Sequence, residues 1–78
     1  MLAYGLKLYF EDGDWAYVKV GSDSTSGYLT KDERLIKPFM DLDEVRNYYQ
    51  QIKKYSFSYE GRIVNLQYSR CSAIRINY

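Results

Sequence analysis

The stretch MLAYGLKLYFEDGDWAYVKV, residues 1–20, decides the fold. Leu2, Tyr4, Leu6, Leu8 and Phe10 alternate with Ala3, Gly5, Lys7 and Tyr9, the period of two that marks a half-buried strand. From Trp15 to Val20 the alternation returns, with Ala16, Val18 and Val20 on the apolar side. Between the two runs stands Glu11-Asp12-Gly13-Asp14, and parity selects the turn. A two-residue Asp12-Gly13 loop would oppose Leu8 to Tyr17 and Leu6 to Lys19, which mixes the faces. A three-residue loop, Glu11-Asp12-Gly13 with Gly13 left-handed, opposes Leu8 to Ala16 and Leu6 to Val18. Every aliphatic then lies on one side, and Tyr9 meets Trp15 and Lys7 meets Tyr17 on the other.

Outward from this hairpin, Gly21 to Gly27 reads as a Ser/Gly/Asp loop. Either Tyr28-Leu29-Thr30 or Arg34-Leu35-Ile36 can add a short edge strand, and Pro38 ends whatever precedes it. Asp41 then caps a helix, with Glu44 three residues on and Met40 placed to pack on Val45. Asp43 and Glu44 suit the positive start of that helix, and Lys53 and Lys54 its negative end. Leu42, Val45, Tyr49 and Ile52 form its inward stripe, with Tyr48 at the margin. Three strand-like runs follow, Ser56–Tyr59, Arg62–Tyr68 and Ala73–Tyr78, the first two joined by a tight Glu60-Gly61 turn. The pattern predicts one α+β domain over residues 1–78, in the order β-β-(β)-α-β-β. One helix packs on one face of a small antiparallel sheet. The expected core is Leu6, Leu8, Val18, Val45, Tyr49, Ile52, Val64, Leu66, Ile74 and Ile76.

Composition bounds the function. Ten of 78 residues are tyrosine and none is histidine. Histidine is the commonest general base and metal ligand, so its absence removes most ready-made catalytic and metal arrangements. No phosphate-binding glycine loop and no nucleophile elbow is present. The carboxylates of Glu11, Asp12 and Asp14 read as a solvated turn, and those of Asp41, Asp43 and Glu44 as helix capping. Asp12-Gly13-Asp14 lacks the spacing and the distal glutamate of a calcium loop. The expectation is a binding module without enzyme activity, cofactor or metal. Cys71, the lone cysteine, reads as a small loop or core residue and fits a reduced, cytoplasmic setting. Met1 to Phe10 reads as a strand rather than an apolar leader, and no apolar run approaches the ~20 residues that span a bilayer. No membrane partner is expected.

Charge is unevenly spread. Residues 1–44 hold five Lys/Arg and nine Asp/Glu, and residues 45–78 hold six and one. Folding can keep these halves apart as two faces or interleave them.

Tyrosine joins a large apolar ring to a polar tip and suits half-buried sheet faces and wet interfaces. Tyr9, Trp15 and Tyr17, with Lys7 and Lys19 beside them, project from the first hairpin away from its aliphatics. This face is the candidate site. Three roles are open to it: cross-strand stabilisation of a small sheet, a protein interface, or stacking of single-stranded nucleic-acid bases. Net charge near zero disfavours nucleic acid, whose affinity rests on phosphate neutralisation. A homodimer through this face is a variant of the interface reading. Arg62, Arg70 and Arg75, with Asn65, Gln67 and Asn77, make a secondary polar patch near the C-terminal strands.

The order of an Asp-Gly hairpin, a short loop, KPFMDLDEVRNYYQQIKK (residues 37–54) and two closing strands resembles small accessory proteins of phages and prophages of Gram-positive bacteria. The shared pattern is Phe39, Leu42, Val45 and the closing Lys53-Lys54. The resemblance implies no activity and assigns no residue a role. It implies an accessory or inhibitor protein that acts by contact with a larger host, phage or defence machine.

Overall fold

The computed structural model describes residues 2–23 and 27–77. It is an α+β domain with a four-stranded antiparallel sheet, a separate two-stranded sheet and one helix. The elements are β1 (Leu2–Tyr9), β2 (Trp15–Asp23), β3 (Gly27–Thr30), α1 (Leu42–Ile52), β4 (Ser56–Tyr59), β5 (Arg62–Asn65) and β6 (Arg70–Asn77). The large sheet runs β3-β2-β1-β6, and β4 pairs only with β5. The expected single sheet is therefore two sheets. Of the Gly21 to Gly27 loop, its ends belong to β2 and β3, and residues 24–26 lie outside the described residues, as does Tyr78.

The first hairpin has the register that parity requires: Lys7 opposite Tyr17, Leu8 opposite Ala16 and Tyr9 opposite Trp15. Gly13 takes φ 92°, open to glycine without steric penalty. Beyond Lys7 the hairpin forks. Phe10 N–H donates across it to Asp14 O at 2.7 Å. By alternation, Leu8, Leu6 and Tyr4 turn their backbone groups toward the β2 side. Tyr4 nonetheless exchanges its bonds with Phe39, at 2.9 and 2.8 Å, and Lys37 N–H reaches Val18 O at 2.9 Å. Residues 36–39 thus enter the fork, with Ile36 opposite Lys19 and Phe39 opposite Tyr4. Of the two candidate edge strands, Tyr28-Leu29-Thr30 is β3. Glu33–Leu35 is instead a single 3-10 turn that feeds this wedge.

One face of the large sheet carries the main core. Leu6, Leu8, Ala16 and Val18 are buried there with Phe10, Phe39, Val45, Phe57, Tyr59, Val64 and Leu66. α1 and the β4–β5 hairpin share the cover. Asp41 caps α1 through a 2.9 Å bond from Glu44 N–H, and Glu44 accepts Met40 N–H at 2.7 Å. Met40 itself is 66% exposed and provides no apolar staple. The inward stripe is Val45, Tyr48, Tyr49 and Ile52, spaced i, i+3, i+4 and i+7. Leu42 is 51% exposed because the helix is rotated toward Tyr48, whose ring meets Phe39 edge-on at 5.3 Å. Glu60 and Gly61 both take positive φ, 50° and 77°, so β4 and β5 join through a primed two-residue turn.

The alternation of Val64, Leu66 and Tyr68 does not continue as one strand. Asn65 ends β5 by accepting Gln67 N–H at 3.0 Å, and Leu66–Tyr68 form a 3-10 turn that leaves Tyr68 exposed. Tyr49 Oη donates to Ser69 O at 3.0 Å and ties α1 to that turn.

Ile74 and Ile76 are not part of the main core. β6 pairs with β1 so that Gly5 faces Ile74 and Ala3 faces Ile76, which puts both isoleucines on the opposite sheet face. They are half-buried there, where Ile74 meets Ile36 over Gly5 and Ile76 lines the same groove. Tyr49 and Ile52, also expected inside, are half-buried on the helix. The wedge thus builds a second, smaller apolar layer from Ala3, Gly5, Tyr17 and Ile36.

Candidate interaction face

The hairpin register brings the candidate side chains together. Lys7, Tyr9, Trp15 and Tyr17 share the sheet face opposite the helix. Lys7 Nζ lies 4.3 Å from the Trp15 ring centroid, 5.1 Å from that of Tyr9 and 5.9 Å from that of Tyr17. Trp15 and Tyr17 meet edge to face at 5.1 Å. Lys31 Nζ lies over Trp15 at 5.0 Å. Arg70 stands opposite Tyr9 on the neighbouring strand, so it joins this face. Cations over aromatic rings are attracted by the ring quadrupole. The result is an aromatic cluster held by lysines rather than merely flanked by them.

The members differ in access. Tyr9 is 40% exposed, and Trp15 and Lys7 are half-buried. Tyr17 is only 8% exposed, because it borders the layer that Ile36 covers. Tyr17 is therefore structural, a role that β2 alternation alone does not distinguish. Lys19 lies further along the same face, opposite Ile36. It marks where the wedge begins rather than a member of the cluster.

The secondary polar patch is not brought together. Arg75 opposes Tyr4 on the helix face, Arg70 opposes Tyr9 on the other, and Arg62 is on a different sheet. Arg62 instead ties the two hairpins. Its Nη2 is 2.8 Å from Asp14 Oδ2 and its Nε 3.3 Å from Asp12 Oδ2, with Glu60 at 3.8 Å. Its guanidinium also packs on the Tyr59 and Phe10 rings, at 5.4 and 6.0 Å. Tyr59 Oη is buried at this junction without a hydrogen-bond partner, and burial pushes its pKa up. The two charged halves of the chain interleave at this point. Asp12 and Asp14 serve this clasp rather than only solvating a turn.

Asp14 is the most perturbed carboxylate among the described residues. Lys31 Nζ at 2.7 Å, then Arg62, then the Trp15 N–H hold it well below the usual carboxylate range. The same contact raises Lys31 and Arg62. This is the reverse of a general acid, which needs a raised pKa. Because the folded pKa is depressed, the unfolded chain binds more protons in acid. The contribution is complete above the unfolded value near 3.8 and is lost as pH falls below it. Asp14→Asn should therefore lower the melting temperature at pH 7 and by a smaller amount at about pH 2.5, where the unfolded carboxyl is protonated and the folded one still ionised. Equal losses at both pH values would remove the clasp as the cause.

Among the described residues no group of three or more His, Cys, Asp or Glu side chains gathers as a metal site. Cys71 is neither in a loop nor in the core: it is exposed on β6, and partial burial of its thiol raises the pKa. No helix among the described residues is long and apolar enough to cross a membrane. Comparison with protein-family models, with curated proteins and with solved structures found no match in any of the three.

Proposed function

We propose that this chain is a small, non-enzymatic protein-binding module of accessory or inhibitor type, and that it binds through the open part of the sheet face around Trp15. The observation that carries the reading is Lys7 set among the Tyr9, Trp15 and Tyr17 rings beside exposed aromatic surface. Rigid rings offer area at low entropy cost, and half-desolvated cations favour an acidic surface on the partner. Tyr9 and Trp15 are the anchors, with Lys7, Lys31 and Arg70 around them. A phage or prophage setting, as the resemblance implies, makes the partner a cytoplasmic host or defence protein.

The nucleic-acid reading has less support. Base stacking needs open ring faces. Lys7 and Lys31 already lie over Trp15, at 4.3 and 5.0 Å.

The test is a photo-crosslinking residue at position 9, used in cells of the source organism. A partner captured there should be lost with Trp15→Ala, and binding should weaken by more than about 1–2 kcal/mol while the melting temperature holds. Capture that survives Trp15→Ala would place the interface elsewhere. Tyr17→Ala should instead destabilise the fold, in keeping with its burial.

A further inference from the structure

We propose that β6 pairs with β6 of a second copy across a two-fold axis, joining two four-stranded sheets into one. The edge itself carries the argument. β1 and β6 pair from Leu2–Asn77 to Tyr9–Arg70 with no shift in register. On β1, the backbone groups of Leu8, Leu6 and Tyr4 point toward β2, so those of Ala3, Gly5, Lys7 and Tyr9 point toward β6. Their partners Ile76, Ile74, Ser72 and Arg70 point back. Cys71, Ala73 and Arg75 consequently aim their N–H and C=O groups out of the sheet. No strand among the described residues pairs with that edge.

Edge strands are usually blunted by shortness, bulges, proline, charged side chains or a covering element. The opposite edge has such devices: β3 is four residues long, follows a register shift and packs against β4. β6 is eight residues long and contains no proline, lysine or bulge. Its only charges are Arg70 and Arg75.

The charge pattern of β6 suits a second copy as the occupant. Positions 71, 73 and 75 are symmetric about Ala73. A two-fold axis there lets Ala73 exchange both backbone bonds with Ala73 of the second copy, while Cys71 faces Arg75 in each direction. Arg75 never meets its own copy, so like charges are not opposed. On the other face Ser72 comes opposite Ile74 and Arg70 opposite Ile76, which extends the half-buried apolar strip. The axis is perpendicular to the sheet, so both Trp15 faces lie on the same side of the dimer.

The test reads the oligomeric state of the purified chain alone, independently of any protein partner. Sedimentation equilibrium at about 100 µM should show a dimer. Ala73 is exposed, so charge there leaves the fold intact, as circular dichroism will check. Ala73→Lys and Ala73→Glu should each weaken self-association about tenfold, and an equimolar mixture should restore it as a heterodimer. A wild-type chain that stays monomeric to about 1 mM overturns the proposal. So does a dimer indifferent to both charges, or one abolished by Trp15→Ala but not by Ala73→Lys.

Discussion

Leu66→Ala costs about 2–5 kcal/mol of folding stability, the range for deleting a fully buried leucine side chain. Leu66 is 0% exposed and packs in the cluster of Leu6, Leu8, Val45 and Phe57. Its position magnifies the loss. Its N–H donates to Tyr55 O at 3.3 Å, and its C=O accepts Ser69 N–H at 3.1 Å and Ser69 Oγ at 2.7 Å. Ser69 in turn accepts from Tyr49 of α1. One side chain therefore seats the turn where the β4–β5 hairpin, α1 and β6 meet. Domains of this size are stable by roughly 5–10 kcal/mol, so the variant loses a large share. Urea denaturation should show a lowered midpoint with an unchanged slope. Leu66→Met, which keeps the volume, should cost less than about 1.5 kcal/mol. An alanine variant as mild as the methionine one would mean that the site collapses or is not buried.

Gly5→Ala gives the second large effect, and its sign depends on another residue. A Cβ at Gly5 would stand 2.6 Å from Ile36 Cγ2 and 3.3 Å from Ile74 Cγ1. The wedge of residues 36–39 brings Ile36 down onto bare β1 backbone, so only glycine fits beneath it. Alanine there should cost about 1–3 kcal/mol by overpacking. Ile36→Ala alone should also destabilise, because Ile36 is buried. With Ile36 truncated the 2.6 Å clash is gone, the 3.3 Å contact to Ile74 Cγ1 needs only a small shift of that side chain, and glycine keeps its entropic disadvantage in a strand of about 0.5–1 kcal/mol. In that background Gly5→Ala should be neutral or stabilising. Strictly additive losses in the double mutant would show that the two residues do not touch.

The elements that could be read locally have local causes. Parity between two alternating runs leaves one loop length that keeps Leu6, Leu8, Ala16 and Val18 together, and the observed register follows it. Asp41 and Glu44 mark the start of α1 because unpaired helix N–H groups need acceptors there. The Glu60-Gly61 turn follows from which residues tolerate positive φ. The aromatic–lysine cluster was legible for the same reason: it depends only on side chains directly opposite in one hairpin.

Other features were not legible, because they depend on chain segments far apart. Alternation in β6 states that Ile74 and Ile76 share a face, but not which face or what covers it. The same pattern fits a strand facing α1 and one facing Ile36. Segment composition likewise could not reveal that Arg62 reaches Asp14, 48 positions away. Nor could it separate Tyr17, buried beside Ile36, from Tyr9 in the open. The sequence by itself determined the strands of the first hairpin and their register, the helix with its cap and the set of rings around Lys7, because neighbour geometry sets all of these. Only the tertiary structure decided that the first hairpin forks, that residues 36–39 cover part of the second sheet face and that, among the described residues, no strand pairs with the long β6 edge. Those outcomes depend on which distant backbone satisfies Tyr4 and Val18, a competition among long-range hydrogen bonds that no local pattern records.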